Sequence, residues 1–85
     1  MVNKLIIVNY IKELTKEDIY KYCSVNNIPI NDDEVDVIYY YIKTKYKRFL
    51  DGYHDEILND IKYKVRSYTY NRIIEAYDKY KHFLS

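Results

Sequence analysis

Hydrophobic positions along this chain recur mostly at helical spacing. The longest example is a stripe at positions i, i+3, i+4, i+7, i+11 and i+14, formed by Val35, Ile38, Tyr39, Ile42, Tyr46 and Phe49. Residues with this spacing lie on one face of an α-helix. Lysine and arginine crowd the end of the stripe, where cations interact favourably with the helix dipole. Asp51-Gly52 follows, and the glycine can adopt the left-handed conformation that ends many helices.

Two segments carry the same helix-start signal. Thr15 and Asn31 are capping residues, and each is followed three positions later by an acidic residue, Asp18 or Glu34. In this arrangement the cap side chain accepts a hydrogen bond from the backbone, and the acid accepts one from the N–H of the cap. An apolar residue before each cap can contact another five positions on, as in a hydrophobic staple. The pattern predicts a second helix over residues 16–25 and a third that begins after Asn31.

Three further segments complete the predicted fold. Residues 5–14 indicate a first helix; their apolar start would also suit a strand, but no second strand is available to pair with it. The other two helices are expected from His54 or Asp55 to Val65 or Arg66, and from Ser67 or Thr69 to Phe83. A single glycine and a single proline argue against a turn-rich sandwich or barrel. We therefore predict an all-α chain in which residues 1–85 form one compact domain of four or five short helices, with no sheet.

The composition changes this picture only slightly. Hydrophobic residues make up 48% of the chain, which argues against disorder. The chain is rich in tyrosine, with 13 among 85 residues. Isoleucine, lysine, tyrosine and asparagine are abundant and have AT-rich codons, so we infer an AT-rich genome. Part of the tyrosine content can then reflect codon bias rather than recognition.

Residues that could support catalysis or metal binding are few. Cys23 is the only cysteine, which excludes an internal disulfide and a multi-cysteine zinc site. Its possible base partners, His54 and His82, fall in later helices, and Asp78 with His82 would supply only two metal ligands. We therefore predict no enzymatic activity, no cofactor and no metal. No apolar run approaches the roughly 18 residues of a spanning helix, so we expect no membrane contact. Nothing in the sequence resembles a secretory signal, and the lone cysteine suits a reducing compartment, so we expect a cytoplasmic protein.

The segment from Leu14 to Gly52 carries a recognisable order of elements. A leucine-threonine-acid helix start leads to a helix that contains Tyr22, and the turn Asn27-Ile28-Pro29-Ile30 leads to a second acidic start and a long helix. This order resembles the YqfT-like family of short proteins of unknown function from low-GC Gram-positive bacteria. The resemblance implies a small helical protein, and it supplies no activity and no catalytic residues.

Three consecutive tyrosines, Tyr39, Tyr40 and Tyr41, mark the third helix. Adjacent helical positions diverge by about 100°, so the three cannot all face the core. Tyr39 continues the apolar stripe, and we expect Tyr40 and Tyr41 to be exposed together with Tyr20. Tyrosine is enriched at protein interfaces. Our leading hypothesis is a non-catalytic protein–protein interaction module that uses Tyr40, Tyr41 and Tyr20. Its partner would be an unidentified protein or a second copy of the chain.

The alternative hypothesis is a nucleic-acid-binding protein. Cations and aromatic residues interleave around residues 43–48 and 62–72, and such a surface could hold phosphates while tyrosines stack on bases. The candidate contact residues are Lys43, Lys47, Arg48, Lys62, Arg66 and Arg72. The two helices joined by an extended turn also resemble a SAP-type DNA-binding module, but the acidic start of the third helix would repel phosphates. The net charge of only +1 is far below that of dedicated nucleic-acid binders.

Overall fold

Five helices form the fold of this protein, which is described by a computed structural model for residues 4–81. They are α1 (Lys4–Glu13), α2 (Lys16–Val25), α3 (Asp32–Leu50), α4 (His54–Lys62) and α5 (Ser67–Tyr80). Residues 4–81 contain no strand, and the prediction of an all-α fold is confirmed. The predicted end of the fifth helix at Phe83 lies outside the described residues.

Both predicted helix starts have the expected capping geometry. The Thr15 hydroxyl accepts from the N–H of Asp18 at 3.3 Å, and the Asp18 carboxylate accepts from the N–H of Thr15 at 2.9 Å. Asn31 and Glu34 form the same reciprocal pair at 2.9 and 3.3 Å. These bonds satisfy N–H groups that the first turn of a helix leaves without intrahelical partners. Local sequence therefore determines where α2 and α3 begin.

The turns between helices explain where the helices end. Gly52, after α3, has a φ of 103°, a conformation that residues with a Cβ rarely adopt. The prediction that α4 continues to Val65 or Arg66 is wrong, because α4 ends at Lys62. The backbone N–H of Arg66 donates to a carboxylate oxygen of Glu34 at 2.9 Å, so it is not available to a continuing helix. A tertiary contact thus ends α4 one turn early.

The long helix α3 organises the packing. Helices α1, α2 and α4 pack on α3, while α5 packs mainly on α4. One buried cluster, Ile19, Cys23 and Val35, joins α2 to α3. A second cluster joins the other side of α3 to α4 and consists of Tyr41, Ile57 and Ile61. Because α1 and α5 are held by different neighbours, they form the two walls of a groove whose floor is α3.

Candidate functional site

The three tyrosines predicted to contact a partner occupy different environments. Tyr40 is 54% exposed, and Tyr20 is exposed as well. Tyr41 is only 9% exposed, so the prediction that its side chain faces solvent is wrong. It belongs to a buried cluster with Ile57 and Ile61 of α4, and burial raises the pKa of its hydroxyl. Tyr41 is therefore a core residue and not a contact residue on the folded surface.

Tyr20 connects two helices. Its hydroxyl donates a hydrogen bond to Asp32 in the first turn of α3. This bond raises the pKa of Tyr20 to about 12. Asp32 lies eight residues before Tyr40, which corresponds to about 12 Å along the helix axis. The two exposed tyrosines are therefore separate features of the surface rather than one patch.

Two of the six basic residues proposed for nucleic-acid contact bind helix ends within the fold. The amino group of Lys43 donates to the carbonyls of Ile11 and Lys12 at 2.9 and 2.8 Å. Arg72 donates to the carbonyl of Asn26 at 3.1 Å. Each cation thus satisfies carbonyls that the last turn of a helix leaves without partners. These side chains hold α1 against α3, and α5 against the end of α2.

The other four basic residues do not gather on one surface. Arg66 binds Glu34 in the first turn of α3, whereas Lys47 is exposed near its last turn, about 20 Å away along the axis. Arg48 pairs with an acidic residue of α4 at 2.8 Å, and Lys62 lies over a tyrosine ring of α5. Most of the charge predicted to meet phosphates is therefore engaged with groups of the protein itself.

Glu34 is a buried carboxylate with a role beyond the capping predicted from sequence. Its Oε1 accepts two bonds from the Arg66 guanidinium, at 2.8 and 3.2 Å, and its Oε2 accepts from the Arg66 backbone N–H at 2.9 Å. Burial alone would raise the pKa of this group. The bonds from the Arg66 guanidinium, the Arg66 backbone N–H and the Asn31 N–H outweigh burial and lower the pKa to about 2. Glu34 therefore stays ionised and connects the starts of α3 and α5.

The residues considered for catalysis and metal binding lie in separate places. Cys23 is buried beside Ile19, and burial, with a smaller effect of the Glu34 charge, raises the pKa of its thiol. His54 lies elsewhere, with its Nδ1 2.8 Å from the Tyr77 hydroxyl. His82 is outside the described residues. Within residues 4–81, no three His, Cys, Asp or Glu side chains are arranged to hold a metal ion.

A large apolar cavity lies in the groove between α1 and α5. Its volume is about 670 Å³, within the range of small-molecule sites. Its lining consists of Ile7, Tyr10 and Ile11 from α1; Leu14 from the turn after α1; Ile38, Tyr41, Ile42, Lys45, Tyr46, Phe49 and Leu50 from α3; Ile57, Leu58 and Ile61 from α4; Ile73, Ala76 and Tyr77 from α5; and Lys81. Two lysines are the only charged residues among these lining positions. The hydrophobic pattern predicts core positions for many of these residues, but it does not predict the space between them.

A second cavity of about 330 Å³ continues the groove toward α2. It shares part of its wall with the first cavity, including Tyr10, Ile42 and Ala76, and it reaches Cys23 and Thr69. The shared residues show that the two spaces are neighbours along the same floor. The groove is therefore a continuous feature of the fold that runs between α1 and α5.

Three large apolar side chains are exposed on α1, beside the exposed polar residues Asn9, Lys12 and Glu13. Leu5 is 64% exposed, Ile6 is 63% exposed and Tyr10 is 70% exposed. Ile6 and Tyr10 are four residues apart and lie on one face, one turn from each other. Ile7 and Ile11 line the cavity on the inner side of the same helix. A surface helix of a globular protein is normally polar on its outer side, so α1 departs from this rule. We call Leu5, Ile6 and Tyr10 the α1 patch.

Comparison with known proteins finds no match. No family model matches the chain, and no curated protein or solved structure matches it significantly. The resemblance of residues 14–52 to the YqfT-like family is thus untested and stays a prediction. Among the described residues, no helix is long and apolar enough to cross a membrane.

Proposed function

We propose that this protein is a non-catalytic interaction module that associates with a second copy of itself through the α1 patch. The observation that carries the proposal is the exposure of Leu5, Ile6 and Tyr10 on one short helix. Neighbouring exposed apolar side chains of this size are typical of surfaces that become covered in an assembly. The sequence hypothesis of an interaction module is kept, but its contact surface moves from Tyr41 to α1.

The charge of the surface favours a second copy as the partner. None of the three side chains in the α1 patch is charged, and the exposed charges of Lys12 and Glu13 lie in the last turn of the helix. The patches of two copies can therefore meet across a two-fold axis without placing charged side chains of the patches opposite each other. The net charge of the chain is +1, and repulsion between copies at a distance is correspondingly small. Three side chains from each copy form a small interface, and small interfaces are typical of weak complexes. We therefore propose a weak dimer that forms with increasing concentration.

Sedimentation velocity over a range of protein concentrations tests this proposal. We expect the sedimentation coefficient of the natural protein to rise with concentration, and Ile6→Lys to remain monomeric because burying an unpaired charge is costly. Val25→Lys is the matched control, since Val25 is 72% exposed on a different helix and its substitution should leave association unchanged. Tyr40→Ala tests the surface of α3 proposed from sequence. A natural protein that stays monomeric at millimolar concentration would refute the proposal.

The proposed setting is the cytoplasm, and the observation that supports it is the unpaired thiol of Cys23, which suits a reducing compartment. Nucleic-acid binding has less support, because Lys43, Arg66 and Arg72 already bind groups of the protein. Fluorescence anisotropy with short DNA and RNA at low salt tests that alternative directly. Tight binding that weakens steeply with added salt would favour it, because phosphate contacts release counterions.

A further inference from the structure

We infer that the larger cavity binds a single-chain amphipathic anion, such as a free medium-chain fatty carboxylate, with its tail in the cavity and its head group beside Lys45. The cavity volume of about 670 Å³ is appropriate for a small organic ligand. Its wall is formed almost entirely by aliphatic and aromatic side chains from four helices. Such a wall can bury an alkyl chain but offers little to a ligand that is polar throughout. This inference does not rest on the proposed self-association.

The charges at the cavity indicate the sign of the head group. Lys45 and Lys81 line it, and within residues 4–81 no acidic residue does. A lysine side chain covers apolar surface with its methylene groups and keeps its ammonium group in water. The two positive charges therefore belong at the mouth of the cavity, where the head group of a bound amphiphile would also reach water. A carboxylate suits this position, and a cationic head group does not.

Lys45 is the better anchor of the two lysines. Lys81 lies 3.3 Å from the Asp78 carboxylate, so an acidic neighbour already offsets part of its charge. Lys45 is half-buried on α3, and the described part of the chain gives it no ion pair of the kind formed by Arg48 and Arg66. A half-buried cation without an acidic partner gains a charge-assisted bond when an anion binds beside it.

Isothermal titration calorimetry with monomeric dodecanoate tests the inference. We expect saturable binding with one dodecanoate per chain. Affinity should increase about tenfold for each two methylene groups added between octanoate and dodecanoate, because each buried methylene adds to the transfer free energy. Dodecyltrimethylammonium has the same tail and the opposite charge, and it should bind at least tenfold more weakly than dodecanoate.

Two variants assign the binding to this cavity. Ala76→Phe places a ring in the shared wall of the two cavities and should abolish binding, while circular dichroism checks that the helices remain. Lys45→Met keeps the apolar part of the side chain and removes the charge, so dodecanoate should bind about tenfold more weakly. Lys47→Met is the matched control, because Lys47 is exposed on the same helix and does not line the cavity. Its affinity for dodecanoate should equal that of the natural protein.

Three results would overturn the inference. One is the absence of saturable dodecanoate binding. Another is equal binding of dodecanoate and the cationic amphiphile, or binding that neither Ala76→Phe nor Lys45→Met weakens. The third is co-sedimentation with phosphatidylglycerol vesicles without binding of monomeric dodecanoate, which would indicate contact of α1 with a lipid surface. Sedimentation of the protein without ligand tests the proposed self-association alone. A failure of ligand binding can therefore be distinguished from a failure of self-association.

Discussion

The ionised carboxylate of Glu34 should control the stability of this protein in acid. Its pKa lies at about 2 in the folded chain, compared with an ordinary value of 4.5. At about 1.4 kcal/mol for each tenfold change in proton affinity, this difference contributes about 3 kcal/mol to the free energy of unfolding. A chain of this length has about 4–13 kcal/mol in total. The contribution of Glu34 is therefore a large part of the whole.

The sign of the effect follows from which state binds the proton first. Because the pKa of Glu34 is lower in the folded chain, the unfolded chain takes up a proton at higher pH. The stabilisation is complete above about pH 4.5 and is lost as the pH falls toward 2. Glu34→Gln removes the titrating group, so the difference in stability between the natural protein and this variant should be largest near neutral pH and shrink on acidification.

Urea denaturation followed by far-UV circular dichroism, at a series of pH values from 7 down to 2.5, measures this difference. We expect Glu34→Gln to lose about 2–4 kcal/mol at pH 7, because the Glu34 carboxylate is buried and a neutral amide cannot replace its charge-assisted bonds to Arg66. Glu56→Gln is the matched control, since it removes one partner of the exposed pair with Arg48 and should cost less than about 1 kcal/mol. If the natural protein and Glu34→Gln lost stability in parallel on acidification, the assignment of a low pKa to Glu34 would be refuted.

Three further substitutions test how the helices are held. Lys43→Met should cost about 1–3 kcal/mol because it removes two hydrogen bonds to the end of α1. Faster amide hydrogen exchange confined to α1 would support this expectation, and unchanged exchange would contradict it. Tyr41→Ala should cost about 3–5 kcal/mol in urea denaturation, and Tyr40→Ala less than about 1 kcal/mol; similar values would mean that Tyr41 is not core. Asn31→Ala should cost about 0.5–2 kcal/mol through loss of the α3 cap, and a Tm equal to that of the natural protein would contradict this expectation.

Features that depend on neighbouring residues could be predicted from the sequence. The caps at Thr15 and Asn31 form their bonds within three residues, and the bounds predicted for α2 agree with the structure. The left-handed conformation of Gly52 likewise depends on a single residue. These features can be predicted from the sequence because the interactions that produce them lie within one turn of a helix.

The environment of Tyr41 could not be predicted from one stripe of hydrophobic residues. A second stripe, Val37, Tyr41 and Phe49, lies on another side of α3 and packs toward α4. Helix α3 has two apolar sides because it is central and contacts α2 and α4 at once. Reading both stripes would have placed Tyr41 in the core, and only Tyr40 among the consecutive tyrosines would have remained exposed.

The features that involve distant residues could not be predicted from spacing at all. Glu34 and Arg66 are 32 residues apart in the chain. Each has a local role that gives no sign of their contact, because the acid completes a helix cap and the arginine precedes a helix. The cavity also depends on residues that are distant in the sequence. It depends on how α1 and α5 are held apart by their different neighbours, and the hydrophobic pattern of its lining residues is the same as that of a filled core.

The α1 patch and the cavity share one residue, and this gives the two proposals a joint consequence. Tyr10 lines both cavities and is 70% exposed as a member of the patch. The alkyl tail of a bound carboxylate would lie beneath Tyr10. It would therefore change the surface that a second copy contacts. Each dimer would hold two ligand sites. Linkage then requires that saturating ligand changes the dimerisation constant by the square of the factor by which dimerisation changes the ligand affinity of each site. The coupling between the two sites is transmitted by α1. Tyr10→Ala should therefore reduce both the effect of ligand on dimerisation and the effect of dimerisation on ligand affinity, whereas Tyr40→Ala should leave both effects unchanged. Sedimentation with and without dodecanoate measures the first factor, and calorimetry at low and high protein concentration measures the second. If dodecanoate left the dimerisation constant unchanged and dimerisation left the affinity for dodecanoate unchanged, the two sites would not communicate through α1.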